Sequence, residues 1–218
     1  MATNAYFPPY EYHRGGELDG IDVAIGKVIA EKMGLELKLN DMEFDEVINS
    51  VRNGESDIAI STLTITDERK KLVDFSEPYA SGIQSIIVRV DSHITSEDDL
   101  ANAKKIGVQK DSTGEAYFIS NYGDSKVVSY DKVSTSLLDL NSGAIDAIVI
   151  DRDVSLKYVE GRMDLNVLET GAIEEEYGIA ITKGNDALRD EINAILKEMK
   201  QSGELEKIIS KYVAPAEE

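Results

Sequence analysis

The chain has 218 residues, enough for one globular unit or two small lobes, and its 42% hydrophobic and 30% charged residues exclude a disordered polypeptide. A formal net charge of -19 argues against nucleic acid as a partner, because the surface repels polyanions. Cysteine is absent and the two histidines, His13 and His93, have no partner at metal-ligand spacing, so disulfides, thiolate chemistry, metal and cofactor are not expected.

The chain opens at MATNAYFPPYEY with no basic-then-apolar leader, and no apolar run approaches the roughly 18 to 20 residues that span a bilayer. A soluble protein is expected, either cytoplasmic or the mature part of an exported one. Ile21, Ile25, Val28, Ile29 and Met33 share one helical face, and Gly34 follows as a left-handed cap. Leu35, Leu37 and Leu39 alternate with polar residues and predict a half-buried strand. Phe44, Val47, Ile48 and Val51 then return to helical spacing before the short strand at 58–61. This alternation builds a parallel sheet with helices on its faces.

The pattern resumes with a strand at 85–90 and a capping-box-like helix start at Thr95 and Asp98. A strand at 105–109, a helix from Thr113, a strand at 127–130 and a helix through Leu137, Leu138 and Leu140 follow. The apolar run 145–150 ends in Asp151, strand-like segments start at Leu165 and Tyr177, and two helices close the chain, the first with Leu188, Ile192, Ile195, Leu196 and Met199 on one face. No repeat or flexible tether separates the units, so a second lobe must be inserted in the first or packed against it.

Three places carry candidate chemistry. The segment from Ser61 to Arg69 leaves a strand and enters a short charged helix, offering hydroxyls, backbone N–H groups and a guanidinium where open parallel sheets bind ligands. An Arg fork with hydroxyls suits a carboxylate; the alternative is a solvated Arg in a charged run. Between Gln109 and Glu115, a helix's first turn beside Ser112 and Thr113 forms an anion site, or one of those hydroxyls is only an N-cap. Asp151, ending a buried strand, binds an ammonium or caps the next helix. Together the three supply what a zwitterion requires.

The string SDIAISTLTITDERKKLVDFSEPY, with FPPYEY, GIDVAIGKVIAEKMG and FDEVINSVRNGESD upstream and KKIGVQKDSTGEAY and GAIDAIVID downstream, resembles the polar amino-acid binding proteins of ABC transporters, in order and over nearly the whole chain. The resemblance implies an α/β, two-lobed type II periplasmic-binding fold, each lobe a mostly parallel sheet flanked by helices, joined by two crossing strands. Lobe one would hold residues 1–87 and 181–218, and lobe two 88–180. The partners it implies are a free amino acid bound between the lobes and a membrane permease, with the protein a monomer in the periplasm or at the cell surface. It assigns Arg69, with Thr64 and Thr113, to the ligand carboxylate, and Asp151, with Ser61 or Thr62, to the ammonium. Phe7 and Phe44 would sandwich the side chain, or pack as core, while Asn4 and Gln109 tune specificity. Asn4 stands where binders of basic amino acids often carry Asp, which points to a neutral polar ligand. No second Arg falls in an evident cleft motif, which disfavours an acidic ligand, although His13 and Arg14 keep one in view. The other readings are a cyclohexadienyl-dehydratase-like enzyme, with Glu11 or Glu115 as its acid, and the sensing domain of a receptor or transporter fusion.

Overall fold

Helix Ile21–Met33 forms where the apolar spacing puts it, and it buries Ile21, Val23, Ile25 and Ile29. Each buried aliphatic side chain contributes about 1.5 to 3 kcal/mol. Gly34 ends the helix at φ 68, its N–H turned back to the Ala30 and Glu31 carbonyls. The structure, a computed structural model, describes residues 1–213, with the backbone alone at 171–173. The end of the expected first lobe, 214–218, lies outside the described residues.

Contacts divide the chain into two units, Met1–Ser81 with Glu175–Glu218, and Gly82–Glu174. The sequence sets these boundaries a few residues further along at each crossing. In the first unit the sheet runs in the order Asn40–Asp41, Ala2–Thr3, Ile58–Ala59, Ala180–Ile181, Asp74–Phe75. The first three strands are parallel, and Ala180–Ile181 is antiparallel to both of its neighbours. Beside it stands a small antiparallel sheet of Tyr6–Phe7, Glu11–Arg14 and Glu17–Asp19.

The strand expected from Leu35 to Leu39 is not formed; pairing is limited to Asn40–Asp41, and Leu35 is 61% exposed. This segment lies along the sheet edge, where one face of an alternating pattern need not be covered. It is tied there by the Met1 amine, which donates to Lys38 O at 2.8 Å. Helix Phe44–Arg52 packs Val47 and Val51 against Ala2, Ala59, Leu63, Val73 and Ala180. Helices Asp186–Ser202 and Glu204–Tyr212 close the unit, burying Ile192, Ile195, Leu196 and Met199.

The second unit holds a sheet in the order Val127–Tyr130, Ile106–Gln109, Ala147–Asp151, Ala80–Arg89, Leu165–Tyr177. The first three strands are parallel, and Ala147–Asp151 is antiparallel to Ala80–Arg89. The core joins Ile86, Val88, Leu100, Ile106, Val108, Phe118 and Val149. The expected 85–90 strand starts earlier, at Ala80, and the strand from Leu165 continues to Tyr177 as one element. The capping box sits one residue later than expected, at Ser96 and Asp99. Asp99 Oδ2 gathers the N–H groups of both Thr95 and Ser96, and the helix that follows, Glu97–Asn102, is 3-10 rather than α.

Candidate functional site

Ser61 and Thr62 follow strand Ile58–Ala59 at its carboxyl end and are buried, 0% and 7% exposed. Thr62 is held at φ 48, a left-handed value uncommon for a branched residue. Side-chain carboxyls hold it there. The Thr62 N–H donates to Asp22 Oδ2 at 2.7 Å and its hydroxyl to Glu11 Oε2 at 3.1 Å, while Ser61 Oγ donates to Glu11 Oε1 at 2.8 Å. Asn4, leaving the adjacent parallel strand, donates its backbone N–H to Ser61 Oγ at 3.0 Å.

The loop then turns through Thr64 into the short helix Asp67–Lys70. Thr66 caps this helix by accepting the Arg69 N–H at 3.1 Å, and the Arg69 guanidinium donates to Thr64 O at 3.0 Å. Its carbon stands 5.6 Å from the centre of the Phe44 ring. Phe44 packs against the core with its remaining surface, so the ring is a platform for Arg69 as well as a core residue. Arg69 is half-buried and fixed at both ends, unlike a solvated residue of a charged run.

Asn4 is 1% exposed, and its Nδ2 donates to Met42 O at 2.7 Å. That bond fixes which way the amide faces. Its Oδ1 has no hydrogen-bond partner among the described residues. The structure thus brings together Asn4, Phe44, Ser61, Thr62, Thr64 and Arg69, and Phe7, 8% exposed, joins them by pairing with Glu11. His13 bonds to Asp41 at 2.8 Å, and the exposed Arg14 reaches Asp19.

In the second unit, strand Ile106–Gln109 ends at Gln109 and helix Thr113–Tyr122 begins four residues on. Ser112, not Thr113, is the N-cap, accepting the Glu115 N–H at 3.0 Å and donating to Gln109 O at 2.7 Å. Glu115 returns the favour by accepting the Asp111 N–H at 2.7 Å. Asp151 is 2% exposed and does cap helix Arg152–Val159, its Oδ1 accepting from Asp153 N at 2.8 Å and Val154 N at 3.1 Å. Strand register sets Asp151 opposite Gln84, which is 6% exposed and reaches the first turn of the Thr113 helix. A Cβ on Gly114 would stand 3.6 Å from Gln84 Oε1. Gln109, Thr113 and Asp151 therefore share the carboxyl end of this sheet, with Gln84 between two of them.

Three residues escaped the sequence reading of the site. Gln84 is a lone amide at the head of an apolar strand, and Asp22 is an acid on the buried face of a helix; both are visible as polar residues in apolar company. Glu11 was considered only as a catalytic acid, yet it is 1% exposed with both oxygens on hydroxyls. Burial, then the charge of Asp22, raises its carboxyl well above the usual range, and burial raises that of Asp22 to about 6. Among the described residues no group of acids and histidines could hold a metal ion, and no helix is long and apolar enough to cross a membrane.

Residues 1–215 match the family described as bacterial extracellular solute-binding proteins, family 3. The arginine-binding extracellular protein ArtP of Bacillus subtilis (strain 168) is 36% identical over 217 residues, covering 97% of this chain and 84% of its own length. Among solved structures, the substrate-binding protein of an amino acid ABC transporter superposes with TM-score 0.91 at 36% identity, covering 97% of each chain. An ancestral arginine-binding protein bound to glutamine does so with TM-score 0.90 at 39% identity, over 97% of this chain and 95% of its own. The fold is the type II periplasmic-binding fold, and relatives of this kind are substrate-binding proteins rather than enzymes. The chain belongs to the bacterial extracellular solute-binding proteins of family 3.

Proposed function

We propose that this protein binds a free L-amino acid with a neutral polar side chain, glutamine-like in size, and delivers it as a monomer outside the cytoplasm to the permease of an ABC transporter. In this reading Arg69, with Thr64 and Thr113, takes the α-carboxylate, and Asp151, with Ser61 or Thr62, takes the α-ammonium. Phe7 and Phe44 flank the side chain, and Asn4 and Gln109 read its end. The observation that carries the reading is the anchored guanidinium of Arg69, fixed by Thr64 O and the Phe44 ring at the carboxyl end of a parallel sheet. The neutral polar choice draws on Asn4, whose amide is oriented by the Nδ2 bond to Met42 O so that its Oδ1, without a hydrogen-bond partner among the described residues, is left as an acceptor. An acceptor suits a ligand amide and disfavours a ligand carboxylate.

The same acceptor suits a guanidinium, and relatives named for arginine give that second reading its weight. A thermal-shift screen against the twenty amino acids separates the two, since a ligand at about 100 times its dissociation constant adds about 2.7 kcal/mol. Stabilisation by glutamine above arginine and lysine is the expected result. Stabilisation by arginine and lysine alone selects the second reading, and stabilisation by none refutes amino-acid binding.

A further inference from the structure

Two buried carboxyls lie beneath the loop that carries Ser61 and Thr62, and amino-acid binding as such gives them no task. The backbone forces them together. Asp22 N–H donates to Tyr10 O at 2.9 Å and Ile21 N–H to Pro9 O at 3.1 Å. Gly20 passes so close that a Cβ there would stand 2.2 Å from Tyr10 O. Glu11 and Asp22, next in chain to this contact, are thereby set side by side under the loop.

A hydroxyl has one hydrogen and two acceptor lone pairs. When its hydrogen is committed to a carboxyl oxygen, it meets any further partner only as an acceptor. Ser61 and Thr62 each donate to a different oxygen of Glu11, and Ser61 also accepts from Asn4 N–H. We propose that Glu11, held by Asp22, is a positioning residue that fixes the hydrogen-bond polarity of the Ser61–Thr62 loop, so that both hydroxyls face a ligand as acceptors and select the α-ammonium at that position. This rests on the assignment of Ser61 and Thr62 to the ligand ammonium.

The state of the pair fits this role. Two carboxylates buried side by side do not both ionise, and burial and mutual repulsion raise Glu11 while burial raises Asp22. One proton held between them leaves the Glu11 oxygens able to accept from the loop. The other groups that act on the pair are the Ser61 and Thr62 hydroxyls, the Thr62 N–H and the buried phenol of Tyr79, itself raised by burial and by both acids. Tyr10 also bears on Tyr79.

Glu11→Gln tests the proposal, because it keeps the shape and replaces one acceptor with an NH2 donor. One loop hydroxyl must then accept from the amide and turn its own hydrogen toward the ligand. Calorimetric titration of parent and variant would use L-glutamine, L-arginine and the α-hydroxy acids with the same side chains, weak binders being read by displacement. The amino acid that the parent binds should lose about tenfold to a hundredfold in affinity. Its α-hydroxy counterpart, whose hydroxyl can turn to accept, should change by less than about threefold. Equal losses, or none, overturn the proposal while leaving amino-acid binding intact. Where the parent prefers another of the twenty amino acids, that one and its α-hydroxy counterpart take their place, and a parent that binds none of the twenty overturns both.

If the variant does not fold, the parent answers alone. As pH falls from about 8 to about 5, across the value of about 6 to which Asp22 is raised, the pair takes a second proton. A Glu11 hydrogen then turns to the loop. The ratio of amino-acid to hydroxy-acid affinity must fall over this range, and a flat ratio overturns the proposal.

Discussion

Replacing Asp22 with Asn should change how stability depends on pH more than it changes stability at any single acidic pH. In the unfolded chain Asp22 ionises near 3.8, whereas in the folded protein burial keeps the proton on to about 6. Between these values the folded state binds more protons than the unfolded state, so this group's contribution to stability falls as pH rises. The cost is absent below about 4 and complete above about 6. At about 1.4 kcal/mol per pH unit the difference amounts to about 3 kcal/mol. Asp22 also raises Glu11, so its removal adds a further effect of the same sign. Asn keeps an acceptor for the Thr62 N–H and has no charge to lose. Urea unfolding of parent and Asp22→Asn at a series of pH values from about 3.5 to about 7 measures the difference, and other groups cancel in the comparison. The stability of the variant relative to the parent should rise by about 3 kcal/mol or more across the series. A relative change under about 1 kcal/mol would show that burial does not raise the Asp22 carboxyl as described, and the reasoning would fail.

Arg69→Ala should cost about 3 to 5 kcal/mol of ligand affinity, roughly two to three and a half decades, with folding retained by circular dichroism; a loss under about threefold by calorimetry would return Arg69 to the solvated surface. Asp151→Asn keeps an oxygen to cap helix Arg152–Val159 and should weaken every amino-acid ligand alike, whereas Asp151→Ala should also lower unfolding stability by about 1 kcal/mol through loss of the cap. Asn4→Asp should shift preference toward arginine and lysine in the thermal-shift screen, and an unchanged ranking would remove Asn4 from the specificity determinants. Gly20→Ala, at φ 127 and with Tyr10 O in the path of its Cβ, should destabilise the fold by about 3 kcal/mol or more in urea; a near-neutral result would mean the Glu11–Asp22 apposition is not enforced there.

Local periodicity carried much of the fold. Ile21–Met33 and its Gly34 cap, Val127–Tyr130 and the C-terminal helices follow from spacing within one element, and each formed where that spacing predicts. Leu35, Leu37 and Leu39 failed because alternation does not reveal whether a neighbour will cover the apolar face, and at this sheet edge Leu35 stays exposed. Within the site, Arg69 stood out by chemistry and by the hydroxyls before it. The apposition of Glu11 and Asp22 was not legible, since it depends on a glycine crossing the Tyr10 carbonyl in a separate turn. Gln84 was missed for a similar reason. Its place opposite Asp151 is set by register between strands more than sixty residues apart, which no local pattern encodes. Asp151 fulfils the capping alternative, and sequence had no means of showing that a cap leaves the carboxyl buried at the sheet's carboxyl end.

The fastening of Arg69 has an entropic side. An arginine carries about 2 kcal/mol of rotamer freedom, and a ligand that had to freeze it on arrival would bind more weakly by a comparable amount. Here the Thr64 carbonyl and the Phe44 ring restrict that side chain within the protein alone, while the Thr66 hydroxyl holds its backbone N–H. The ordering is done during folding, once per molecule, rather than at each binding event. Disordering Arg69 by Phe44→Ala should therefore add a less favourable binding entropy, shared by every ligand that uses the carboxylate site, to the loss of any contact Phe44 makes with the ligand side chain.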